Sequence, residues 1–213
     1  MNMAATKEDV LKFIDAFDQR IEEHHQELTD LDQAIGDGDH GINMNRGMKA
    51  VMEKIPGVKD KAISDIVKTV GMTLMSKVGG ASGPLYGMAF VKASMKAKGK
   101  EELSPEDISE MFGAAIASIE KAGKSTTGEK TMLDAICPAK EAYDKAIADG
   151  KSVAEAFKDA EDAAWKGVEY TKTIVATKGR ARYLGERSLG HQDPGATSIS
   201  YLIQSCRVVA EAK

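Results

Sequence analysis

Apolar residues recur at helical spacing along almost the whole chain, and no stretch shows the strict alternation of a half-buried strand. The segment from Lys7 to Leu31 sets the pattern, with Val10, Phe13, Ile14, Phe17, Ile21 and Leu28 on one stripe. A chain written this way buries stripe against stripe of neighbouring helices. A second helix reads from Gly41 to Ile55 and stops at Pro56-Gly57, a third covers Ala62 to Lys77, and a fourth runs from Gly83 to Lys98. Ser104-Pro105-Glu106-Asp107 combines an N-cap, a proline at the first helical position and first-turn acids, so it starts a fifth helix that runs to Lys121. A sixth spans Thr131 to Ala148 and ends before Gly150. Ser152 and Glu155 form a capping box for a seventh that extends to about Ala176. The last starts near Gly195 and carries Ile199, Leu202, Ile203, Cys206 and Val209. Short connections among eight helices predict one all-α domain.

Composition removes several function classes. The formal net charge is −4 with both signs interleaved, and no basic stripe with spaced aromatics offers a face to nucleic acid. No apolar run is long enough to span a membrane. Met1 to Thr6 leads straight into a charged helical pattern and does not read as a signal peptide. Cys137 and Cys206 both lie in helical apolar patterns, which predicts reduced thiols in a cytoplasmic protein.

Chemistry concentrates between Leu31 and Gly41, where Asp32, Asp37 and Asp39 are interleaved with Gly36 and Gly38. Crowded carboxylates repel, and an oxygen-only donor set suits a hard cation such as Mg²⁺, which proteins usually share with a phosphate. An EF-hand is excluded because no glutamate fills its bidentate position. An acidic turn that caps a helix is the alternative. His40 reads either as a catalytic or ligand residue or as one that orients the site, Asn43 and Asn45 as donors to phosphate or partners of metal-bound water, and His24 and His25 as solvated.

Three further segments stand out. Val78 to Gly87 is a glycine-rich helix–helix turn that suits either phosphate binding or close packing, and it is not a Walker A motif. Gly123 to Asp134 is a polar loop in which Lys130 or Thr131 faces phosphate or nucleoside and Met132 a flat base, or else the loop is simply solvated. Lys178 to Ser198 gathers Arg180, Arg182 and Arg187 with no apolar period, and reads as an arginine-bearing lid.

The order I-G-D-x-D-H-G, G-G-A-S-G-P, G-x-K-T-M-x-D, K-G-R-A-x-Y-L-G-E-R-S-x-G-H-x-D-P-G-A-T resembles the dihydroxyacetone kinases, from about Leu11 to Val209. Within them it is similar to the separate nucleotide-binding L subunits of the bacterial enzymes. The resemblance implies an eight-helix up-and-down antiparallel barrel that holds ADP or ATP at one rim through two Mg²⁺ ions. It implies Asp32, Asp37 and Asp39 as metal ligands, and His40, Gly41, Ile42, Asn43, Ala81, Ser82, Gly123, Met132, Arg180, Asp193, Gly195, Ala196 and Thr197 around the nucleotide. Ser82 and Arg180 would stabilise the transferred phosphoryl group.

The resemblance also implies partners. A phosphohistidine carrier subunit of the phosphotransferase system would phosphorylate bound ADP, and the γ-phosphoryl would pass to dihydroxyacetone on a separate K subunit. Three other roles are open on the same motifs: an ATP-dependent ketose kinase with exchangeable nucleotide, a nucleotide-state signal to a transcriptional activator, and a metal-dependent phosphohydrolase.

Overall fold

Capping chemistry sets the helix boundaries. The computed structural model describes residues 4–213. In chain order the helices are α1 (Lys7–Ile35), α2 (His40–Lys54), α3 (Ile63–Lys77), α4 (Ser82–Lys96), α5 (Pro105–Gly123), α6 (Leu133–Ala148), α7 (Val153–Thr171) and α8 (Pro194–Glu211). Reciprocal capping boxes open α1 (Thr6 with Asp9), α5 (Ser104 with Asp107) and α7 (Ser152 with Glu155). Each side-chain oxygen takes up an amide that the helix leaves unpaired.

Each helix packs on its successor in the chain, and α8 packs on α1, so the contacts close into a cycle. The stripes meet in one apolar core that includes Phe17, Ile21, Leu28, Met44, Leu74, Tyr86, Tyr143 and Ile203. Gly167 lets α7 approach α6 closely: a Cβ there would lie 2.0 Å from the Asp134 carbonyl oxygen. Cys137 and Cys206 are free thiols. No described helix is long and apolar enough to cross a membrane.

Five local expectations are corrected. The first helix continues past Leu31 to Ile35, because Ile35 prolongs the stripe and packs on Ala176, Ala181 and Leu184. The seventh helix ends at Thr171, short of Ala176, where the Ala176 amide turns away to the Ser188 hydroxyl at 2.9 Å. The segment after it is not devoid of packing: Ala181–Ser188 forms a 3-10 helix kinked at Gly185, with Ala181 and Ser188 buried. Strands β1 (Ala5–Thr6) and β2 (Glu102–Leu103) pair antiparallel, too short to leave an alternation in the sequence. His24 is not merely solvated, since its ring stacks on Tyr201 at 4.2 Å and its Nδ1 meets Glu27 at 2.9 Å.

Candidate functional site

The end of α1 and the start of α2 bring the three aspartates together. Asp32 lies on the last turn of α1, Asp37 in the connecting turn, and Asp39 is the residue before α2. Gly38 takes φ +73°, and a Cβ on Gly36 would lie 2.1 Å from the Asp32 carboxylate, so the turn requires both glycines. One oxygen from each aspartate falls within 4.8 Å of the others. The Asp32 carboxylate is oriented by the amides of Asp39 (2.9 Å) and His40 (3.1 Å). Burial pushes its pKa up, the charges of Asp37 and Asp39 push further, and those two amides oppose them. Arg180 Nε pairs with Asp37 at 2.8 Å.

One arginine facing three clustered carboxylates leaves a surplus of negative charge and an oxygen-only donor set. Those features fit a hard divalent cation.

The glycine-rich turn lies beside this cluster. A Cβ on Gly79 would lie 3.0 Å from the Asn43 amide group, and one on Gly80 would lie 4.0 Å from Asp39 Oδ1. His40 binds the two helix starts together. It is buried, with Nδ1 hydrogen-bonded to Ser82 Oγ at 3.0 Å and Nε2 to Ser198 Oγ at 2.8 Å. Tyr86 shares the Ser198 hydroxyl at 2.7 Å. Burial lowers the His40 pKa to about 4, so the neutral imidazole acts as a strut among α2, α4 and α8. Neither α2 nor α4 is capped by the side chain preceding it. The first amide of α2 is taken by Asp32, so the amides that follow it, the first amides of α4 and the aligned peptide dipoles of both helices favour an anion at this rim.

The remaining expected residues divide into groups. Ile42 is 54% exposed at the start of α2, and Ala81 is exposed at the start of α4. Gly41 packs α2 onto α1, where a Cβ would lie 1.9 Å from the His25 carbonyl oxygen. Asn43 is buried and accepts from Arg46 at 2.7 Å. At the start of α8, Asp193 accepts from the Ala196 amide at 2.7 Å. The fully buried Thr197 spends its hydroxyl on the Asp193 carbonyl and on Gln192, each at 2.8 Å. Gly195 lies against Met132, and Gly123 meets α4 through Leu85. Burial raises the Asp193 pKa to about 7; Asp134 and Asp32 add to this, and the Ala196 amide and Lys130 oppose it.

Lys130 departs from expectation. It is buried, and its Nζ is spent on backbone, donating to the carbonyl of Thr171 at the C-terminus of α7, where the helix end attracts a cation, and to that of His191, both at 2.5 Å. Asp134, unassigned from sequence, shapes the preceding loop by accepting from Gly128 (2.5 Å) and Thr131 (2.8 Å). The Thr131-x-x-Asp134 spacing, a capping pattern, was its available signal. Nothing local could have linked Tyr86 and Ser198 to His40.

The fold and rim define a class: an all-helical domain with a carboxylate cluster set between two open helix starts. The chain belongs to the DAK2 domain family, whose domain matches residues 34–207. It is 45% identical over 184 residues to the "PEP-dependent dihydroxyacetone kinase, ADP-binding subunit DhaL" of Escherichia coli (strain K12), covering 86% of this chain and 88% of that protein. It is 45% identical over 203 residues to the "PEP-dependent dihydroxyacetone kinase 1, ADP-binding subunit DhaL" of Listeria innocua, covering 95% and 96%. The fold matches the dihydroxyacetone kinase of C. freundii, solved in complex with AMP-PNP and Mg²⁺, with a TM-score of 0.71 at 22% identity, over 94% of this chain and 33% of that one.

Proposed function

We propose that this chain is the nucleotide-holding subunit of a phosphocarrier-dependent dihydroxyacetone kinase and acts in the cytoplasm. In this reading a phosphohistidine carrier subunit phosphorylates bound ADP. The γ-phosphoryl of the resulting ATP then moves to dihydroxyacetone on a separate K subunit. The observation that carries the reading is the carboxylate cluster beside the open starts of α2 and α4. The names of the relatives point the same way.

Asp32, Asp37 and Asp39 would hold Mg²⁺, two ions in all, whose charge offsets that of the phosphates and of the group in transfer. In the segment His40 to Asn43 the His40 amide is held by Asp32 and the Asn43 amide by the Asp39 carbonyl, so the amides of Gly41 and Ile42, with those of Ala81 and Ser82, meet the phosphates. Met132, Gly123, Gly195 and Ala196 border the nucleoside, while Asp193 and Thr197 brace that wall from behind. Ser82 and Arg180 bear on the transferred group, Arg180 from its position against Asp37. The cyclic helix contacts support an up-and-down antiparallel barrel, residues 1–213 as one domain, with the site at one rim.

The test is the nucleotide and metal content of the purified protein, followed by phosphoryl transfer with carrier and K subunits added. Bound ADP with about two equivalents of magnesium, and dihydroxyacetone phosphate formed only when both partners are present, is the expected result. A chain that takes up no nucleotide with Mg²⁺ present would overturn the reading.

A further inference from the structure

Lys130 is 1% exposed, yet its ammonium touches only backbone carbonyls: Thr171 and His191 at 2.5 Å, and Ile174 at 3.4 Å. Its backbone sits at φ +63°, a left-handed conformation that a non-glycine residue keeps only where its surroundings impose it. A buried ammonium is costly unless its donors are satisfied, and here all its acceptors belong to one stretch of chain. Thr171 is the last residue of α7, where the unpaired carbonyls and the negative end of the peptide dipoles favour a cation. His191 lies just before α8. Lys130 therefore grips both ends of the loop 172–193.

That loop reaches the acidic turn. Its base is also closed by the Gly190 amide on the Lys172 carbonyl at 2.8 Å. Its middle packs Ala176, Ala181 and Leu184 on Ile35, which lies beside the metal turn. Its Arg180 pairs with Asp37, and its last residue, Asp193, opens α8.

We infer that Lys130 is a positioning residue, a buried cationic rivet that closes the base of the 172–193 loop and so holds Arg180 and the start of α8 at the rim. What this does for bound nucleotide rests on the function proposed above. Where the loop sits does not.

The test compares Lys130→Met, which keeps the length and removes the charge, with wild type by amide hydrogen exchange without nucleotide, and by release of Mg·ADP. Exchange at Ala176, Gly190 and Asp193 is expected to rise about tenfold, the scale of one lost charge-assisted hydrogen bond, while α1 to α5 keep wild-type protection. Mg·ADP is expected to leave about tenfold faster. Unchanged exchange in 172–193, or an equal rise in every helix, overturns the inference. A faster loop with unchanged release also overturns it. If the wild type binds no Mg·ADP, the proposed function fails, and the exchange pattern still decides the placement. Lys130→Arg, charged but differently shaped, is read by the same criteria if the methionine variant does not fold.

Discussion

At the scale of single residues, the rim depends on groups that cannot be exchanged for near neighbours. Asp37 is exposed and makes no core contact, so Asp37→Ala should leave the circular dichroism spectrum and melting temperature close to wild type while Mg·ADP binding is lost. Binding retained at native affinity would remove Asp37 from the metal set. Gly41→Ala is the opposite case. Its Cβ would meet the His25 carbonyl at 1.9 Å, so α2 must shift off α1, at a cost of about 3 kcal/mol in chemical denaturation. Asp193 carries a pH signature. Its pKa rises from 3.8 to about 7 on folding, so between those values the folded chain holds a proton that the unfolded chain lacks. That contribution to stability is complete below pH 4 and is lost as pH rises through 7. Asn keeps the N-cap acceptor, so Asp193→Asn should show a flatter loss of stability between pH 4 and 7 than wild type, as measured by urea titration.

At the scale of elements, local signals located most of the helices and missed what the loops do. The boxes at Ser104 and Ser152 were legible because capping is written within four residues. The extension of α1 to Ile35 and the early end of α7 were not, because both are decided by the loop 172–193. That loop had no apolar period to read, since its anchors are too few to repeat: Ala176 lies in irregular chain, and Ala181 and Leu184 share a single turn of the short 3-10 helix. Ile35→Ala should therefore loosen the loop without unfolding the bundle. Limited trypsin digestion is expected to cut first at Arg180, Arg182 or Arg187, at least several-fold faster than in wild type. Cleavage spread through the helices would mean that Ile35 supports the whole core.

At the scale of the whole molecule, the site is a junction of distant chain segments. His40 reaches Ser82 and Ser198, and Arg180 reaches Asp37, so α1, α2, α4, the 172–193 loop and α8 all meet at one rim. A ligand there should stabilise the entire fold. Mg·ADP at about a hundred times its dissociation constant adds about 3 kcal/mol, or a rise of several degrees in melting temperature, which EDTA should abolish. The amino-acid order alone determined the helical class, the helix count, the capped starts at Ser104 and Ser152 and the acid–glycine turn, because periodicity, capping and charge crowding act within a few residues. Tertiary structure alone decided that His40 is a neutral strut, that Lys130 turns inward to carbonyls and that Arg180 comes to rest on Asp37. Those outcomes depend on burial and on partners far apart in the chain, and no local pattern records either.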